Sequence, residues 1–240
     1  MRLVVDAIGK SFEEKQVLNG ASFQFEKGTI GNTNFMAIAA NSGNKAGAGK
    51  TTLFNCVSQE IEYDEGTVYM EENGEKKDIS YDMMGYAFST PVLPEFLTGY
   101  EFIKFFLDIN RDRIKDPRTV EEYAQMVGME LPDLDRLLKG YSHGMKNKMQ
   151  MLCLLISKPP ILLLDEPLTS LDVVAAHEMK ELLLEMKKDH IIILSTHILQ
   201  LAQDLCDEIV LLHQGKLAGV EDLDCHDKGF EEHVMELLSQ

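Results

Sequence analysis

Long apolar runs are missing from this sequence. The longest candidates, FMAIAA, MLCLLI, ILLL and IIIL, fall far short of the ~18 residues that a membrane-spanning helix needs and suit buried strands or short helix faces. The opening MRLVVDAIGK has no extended apolar stretch of the signal-peptide kind, so the expectation is a chain that does not cross or enter a membrane unaided. Closely spaced cysteines are missing too. Cys56, Cys153, Cys206 and Cys225 lie far apart with no C-x-x-C pair, which argues against a zinc site and a disulfide framework and for a reducing cytosol. Positive charge is scarce, with 23 Lys and Arg against 40 Asp and Glu and a formal net charge of −17. That field opposes non-specific attraction to nucleic acid or anionic lipid, so nucleic acid is not an expected partner. A phosphate ligand would have to be held by a local site.

What is present has the organisation of one large α/β domain, and 240 residues are enough to bury a sizeable core. Residues 1 to 40 read as short strands, through LVVDAI, ASFQFEKG and FMAIAA. Residues 61 to 88 hold β-like and turn material. From about 95 to 157 the pattern turns helical, through EFIKFFLDI, TVEEYAQMVG and KNKMQMLCLLIS, until KPP stops it. The remainder alternates apolar strands (ILLLDEP, IIILSTH, EIVLLHQGK) with amphipathic helices, which predicts a largely parallel sheet flanked by helices. Neither an internal repeat nor a low-complexity linker is evident.

The segment NSGNKAGAGKTT joins an apolar strand to a helix beginning at Lys50, the context of a phosphate loop. Gly47 and Gly49 let the backbone approach phosphate oxygens, Lys50 can reach the β and γ phosphates, and Thr51 is a candidate Mg²⁺ donor. The pattern G-x-x-x-x-G-K-[ST] is off by one, however, because the place of its first glycine holds Asn44. Two registers compete. Counted back from Lys50, Asn44 stands in for glycine, and asparagine tolerates positive φ. Counted forward from AIAANSG, the loop gains NKAG as extra residues. The backward register keeps GAGKTT intact against the helix and is preferred.

Other motifs each carry a plain structural alternative. ILLLDEP delivers Asp165 and Glu166 to the carboxyl end of a buried strand, where adjacent acids suit a cation or a water to be activated, or simply form an exposed acidic turn. In YSHGM, Ser142 and the amides around Gly144 suit an anion at a helix start, or an ordinary helix cap. STH ends a strand at His197, an imidazole at the same edge.

Taken in order, the phosphate loop, YSHGM, ILLLDEPLTSLD and STH resemble the nucleotide-binding subunit of an ATP-binding cassette (ABC) transporter, from about Phe12 to about Gly215. The resemblance implies a P-loop NTPase (RecA-like) fold: a mostly parallel core over 1–90 and 158–240, with an N-terminal antiparallel β part and an inserted α-helical subdomain over 91–157. It implies that Phe12 stacks on adenine. Asn44, Gly47, Ala48, Gly49, Lys50, Thr51 and Thr52 would line the phosphates. Thr51 and Asp165 would serve Mg²⁺, Glu166 would act as general base, and His197 would contact the γ-phosphate. Ser142 and Gly144 would cap the ATP bound by a second ATP-binding subunit, with Asp172 across that interface. The implied partner is a membrane permease, which would hold the chain at the inner face of the cell membrane.

Three features depart from the family pattern: the irregular loop, His143 in the first place of the usual double glycine, and Ser89 where the family has a glutamine. Three functions therefore stand side by side: an ATPase driving a separate permease, a non-hydrolysing nucleotide-gated scaffold, and a soluble ABC-type ATPase in assembly or repair. Intact Glu166 and His197 favour hydrolysis. The apolar Leu93, Phe96 and Leu97, in a stretch with little periodic reason to be buried, are expected to face the permease.

Overall fold

A computed structural model of the chain describes residues 1–26, 35–39, 49–168, 171–187, 190–219, 229, 230 and 234. Its first half runs β1 (Arg2–Phe12), β2 (Lys15–Glu26), β3 (Phe35–Ala39), α1 (Lys50–Val57), β4 (Glu65–Glu72), β5 (Glu75–Asp78) and β6 (Met84–Ala87). Then follow α2 (Gly99–Ile109), α3 (Val120–Met126), α4 (His143–Ser157), β7 (Ile161–Asp165), α5 (Val173–Met186), β8 (Ile191–Thr196), α6 (Leu199–Leu205), β9 (Glu208–His213) and β10 (Lys216–Gly219).

These strands form two sheets. An antiparallel sheet has the order β2-β1-β4-β5, and a second sheet has the order β10-β9-β3-β8-β7-β6, parallel throughout except for β10. The expected mostly parallel core and N-terminal antiparallel part are both present. Strand period sorts the parallel sheet's side chains onto two faces. Met36, Ile38, Ile161, Leu163, Ile191 and Ile193 pack toward α1 and the antiparallel sheet. Ala37, Ala39, Leu162, Leu164, Ile192 and Leu194 pack toward the helices. Every residue of β7 is buried, as expected of a parallel strand covered on both faces. Each such Leu or Ile contributes about 1.5–3 kcal/mol.

The N-terminal strands are long rather than short, at 11 and 12 residues, because bulges let them bend without ending. One bulge centres on Ala7, at φ 53, whose N–H leaves the ladder and donates to Ser22 Oγ at 2.8 Å. The stretch ENGEKKD contains a strand: Asn73 and Gly74, both at positive φ, make the two-residue turn that returns β4 as β5.

Local signals place the helices. Capping boxes Thr98/Glu101 and Thr119/Glu122 start α2 and α3. Ser142 caps α4, and Lys158 ends it in the left-handed region ahead of Pro159 and Pro160. Helix α4 also grips the edge strand β6. The buried Gln150 accepts from Phe88 N–H at 3.1 Å and donates to Phe88 O at 3.0 Å, so its amide continues the ladder just before Ser89.

The three apolar residues after Ser89 do not share one environment. Phe96 is 78% exposed, but Leu93 and Leu97 pack against the helical-side core. Leu97 is tied down by its backbone, which accepts from Leu138 N–H at 2.8 Å next to a Thr98–Leu137 bridge. Among the described residues, no helix is long and apolar enough to cross a membrane.

Candidate nucleotide site

The carboxyl edge of the parallel sheet collects the candidate catalytic groups. Residues 40–48, and with them Asn44, Gly47 and Ala48, lie outside the described residues. Gly49 is described. It caps α1 at φ 91, a backbone conformation that favours glycine, and a Cβ there would sit a tight 3.3 Å from Val17 Cγ1 on β2. The first turn of α1 then sets Lys50, Thr51 and Thr52 in sequence. Beside it, β7 ends at Asp165 and β8 at Thr196, with Asp165 and Ser195 paired across the ladder.

Side chains from these three elements converge. Thr51 Oγ1 donates to Asp165 Oδ2 at 2.7 Å, and Ser195 Oγ donates to Asp165 Oδ1. Asp165 is 2% exposed, so both of its oxygens are satisfied inside the protein. Glu166 follows, turned out of the strand at φ 50, a left-handed conformation that costs a non-glycine residue about 1–3 kcal/mol and that clusters at functional sites. Its N–H is held by Ser195 O at 3.1 Å and by Ser195 Oγ at 3.2 Å. Its carboxylate lies between two donors, Lys50 Nζ at 3.2 Å from Oε1 and His197 Nδ1 at 3.0 Å from Oε2. Burial pushes the Glu166 carboxyl up, but the hydrogen bonds and charges of His197 and Lys50 outweigh it and hold it below the ordinary value.

The donor set suits Mg²⁺. A threonine hydroxyl and a buried carboxylate side by side are hard oxygen donors, and Mg²⁺ is commonly held by one or two such groups together with phosphate and water oxygens. Among the described residues no group of three or more His, Cys, Asp or Glu forms an alternative metal site.

Comparison with known proteins bears on this geometry. The ABC transporter family profile matches residues 42–169, which spans the loop, the YSHGM segment and the Asp165–Glu166 edge. The chain belongs to the ABC transporter family. An uncharacterized ABC transporter ATP-binding protein of Methanocaldococcus jannaschii is 30% identical over 249 residues, covering 97% of this chain and 83% of the relative. One of Bacillus subtilis (strain 168) is 27% identical over 217 residues, covering 90% and 69%. Among solved structures, an ATP-binding subunit of an ABC transporter matches with a TM-score of 0.77 at 23% identity over the whole of both chains. A dimeric ATP-binding cassette in a post-hydrolysis state bound to ADP and Pi matches at 0.73, with 18% identity over 92% of this chain and all of the other.

Not all the candidate residues of this ABC cassette meet in one place. Ser142, Gly144 and Asp172 line a cleft of about 380 Å³ together with Gly128, Glu130 and Lys148, apart from the Lys50–Glu166 group. There Ser142 Oγ accepts from Met145 N–H at 3.2 Å, and Asp172 Oδ1 accepts from Val174 N–H at 3.0 Å and Ala175 N–H at 2.9 Å. Both are therefore helix caps, the structural alternative that the sequence offers for Ser142. The N–H bonds, that of Ala175 first, hold the Asp172 carboxyl below its ordinary value. Phe12 ends β1, 47% exposed, with Lys10 Nζ 5.5 Å from its ring centroid.

Ser195 is the functional candidate that sequence reasoning missed. It is fully buried and touches both acids. Its one signal is a hydroxyl interrupting the apolar IIIL just before Thr196–His197.

Proposed function

We propose that the chain is the ATP-hydrolysing subunit that powers a separate membrane permease, with ATP sandwiched between two such subunits. One observation carries the reading: Glu166 stands between Lys50 and His197, next to the Thr51–Asp165 pair. A nucleotide-gated scaffold has no need of a strained, partly buried carboxylate held at the mouth of a phosphate site.

In this reading Lys50 and His197 move from Glu166 to the phosphates, Lys50 toward the β and γ groups and His197 toward the γ. The freed Glu166 carboxylate orients the attacking water and accepts its proton. Thr51 and Asp165 would hold Mg²⁺, which when bound would supply charge neutralisation at the phosphate oxygens. Phe12 presents its ring to adenine. Thr52, half-buried on α1, adds a donor beside the phosphates. Ser142 and Gly144, at the start of α4, meet the γ-phosphate of the nucleotide on the second subunit, and Asp172 faces that subunit. Such separation within one chain is what a site completed by two chains requires.

The helical part, 91–157, is assigned as a subdomain that reaches the permease. Val92 and Phe96, 79% and 78% exposed, offer apolar surface for it, and docking there would place the chain at the inner face of the membrane. Calorimetric titration with ATP·Mg²⁺, phosphate release and light scattering test the reading together. Wild type should bind, dimerise with ATP and release phosphate, and Lys50→Ala should lose ATP-dependent dimerisation. Binding and dimerisation without phosphate release, with the permease present or absent, would leave the scaffold reading instead.

A further inference from the structure

Phe12 stands where β1 turns into β2, and β2 carries it to the phosphate site, since Val17 touches the place a Gly49 Cβ would occupy. A half-exposed ring at a hairpin needs its backbone fixed if it is to meet a flat ligand. The ladder fixes it only in part. Ser11 and Phe12 pair with Gln16 and Lys15 of β2, but just before them the β1–β2 register shifts between Ile8 and Lys10 and again between Lys10 and Ser11, and pairing with β4 shifts between Asp6 and Gly9.

One residue steadies that irregular approach. Asp64, just before β4, donates its N–H to Gly9 O at 2.9 Å, accepts from Lys10 Nζ at 2.9 Å through Oδ1, and accepts from Ser11 N–H at 2.7 Å through Oδ2. Those are the three residues that precede Phe12. The ammonium that Asp64 anchors is also the one lying over the Phe12 ring, which is 47% exposed and so has surface to offer a base.

We infer that Asp64 is a positioning residue for the nucleotide: by holding Gly9, Lys10 and Ser11 it sets the Phe12 ring to stack on the adenine of ATP. The inference rests on the reading of Phe12 as the adenine platform. Among the described residues Asp64 bonds to Gly9, Lys10 and Ser11 and not to Lys50, Thr51 or Glu166, so its effect belongs to the base.

The test compares ATP·Mg²⁺ with tripolyphosphate·Mg²⁺, which has the phosphates and no base, by calorimetric titration of the full chain. The variants are Phe12→Ala, Asp64→Ala and the double variant, each checked for an unchanged melting temperature. Removing an aromatic stacking partner lowers affinity by roughly fivefold or more, so Phe12→Ala should weaken ATP by at least about that much. Asp64→Ala should weaken ATP about threefold or more, leave tripolyphosphate within about twofold, and cost nothing further once Phe12 is alanine, as expected of groups that act as a unit. If Asp64→Ala lowers the melting temperature, Asp64→Asn, which keeps the volume and loses the ion pair, takes its place in the series. Loss of ATP affinity in Phe12→Ala but not in either Asp64 variant overturns the inference and leaves the Phe12 reading standing. Equal weakening of ATP and tripolyphosphate by the Asp64 variants overturns it as well, showing a general disturbance. No loss in Phe12→Ala removes the platform and the inference with it.

Discussion

His197 Nδ1 lies 3.0 Å from Glu166 Oε2, so the end of β8 holds the residue that follows β7. Lys50 holds the other carboxylate oxygen, and in the proposed function each partner is also a group that a triphosphate would recruit. The contacts that keep Glu166 in place without nucleotide are thus the ones whose release would free it.

Replacing Glu166 by Gln keeps the shape and removes the proposed base. ATP binding should persist while hydrolysis slows by roughly the 10²- to 10⁴-fold expected for a positioned base, and ATP-bound dimers should accumulate. Single-turnover phosphate release with size-exclusion chromatography reads both. Unchanged turnover would exclude Glu166 as the base.

Ser195→Ala deletes a fully buried hydroxyl that donates to Asp165 and accepts from the Glu166 N–H. Leaving Asp165 Oδ1 without that donor should destabilise the fold by about 1–3 kcal/mol in denaturant unfolding. Turnover should fall more than ATP affinity does. The reverse pattern would place Ser195 in binding rather than in setting the two acids.

Acid titration isolates the Glu166 cluster. Because the folded carboxyl sits below its ordinary 4.5, its contribution is fully present above that value and is lost as pH falls through the lower folded one. Between about pH 6 and about pH 3 the wild type should lose more stability than Glu166→Gln does, measured by urea unfolding at each pH. Parallel losses would mean that the Lys50 and His197 contacts give no net stabilisation in solution.

Phe96 and Leu97, adjacent in sequence, should respond differently to charge. Phe96→Glu changes exposed surface and should spare folding and basal ATPase activity while uncoupling transport. Leu97→Glu buries a charge against the helical core and should cost several kcal/mol in unfolding experiments. An unfolded Phe96→Glu would count against the docking face.

Legibility in the sequence followed locality. Strand β7 was readable because an unbroken apolar run ends in two acids, and α4 because Ser142 and KPP mark its ends. The hydroxyl of Ser195 was not, since its role depends on β7 and β8 pairing in one register, a non-local fact that one serine does not signal. Strand β5 is exposed at every position, so it shows no alternation, and only the Asn73–Gly74 pair hints at it. The partial burial of Leu93 and Leu97 was not readable for a related reason: they pack against the helical-side core, with the Leu97 backbone held by the distant Leu138, in a segment with no helical or strand period of its own.

Ser142 caps the start of α4 by accepting from Met145 N–H, and an accepting hydroxyl still has its own hydrogen to give. Helix capping and anion recognition are then compatible duties of one oxygen. A phosphate arriving from a neighbouring molecule would take up that spare hydrogen without unfastening the helix start, so engagement and release could alternate many times with no refolding step between them.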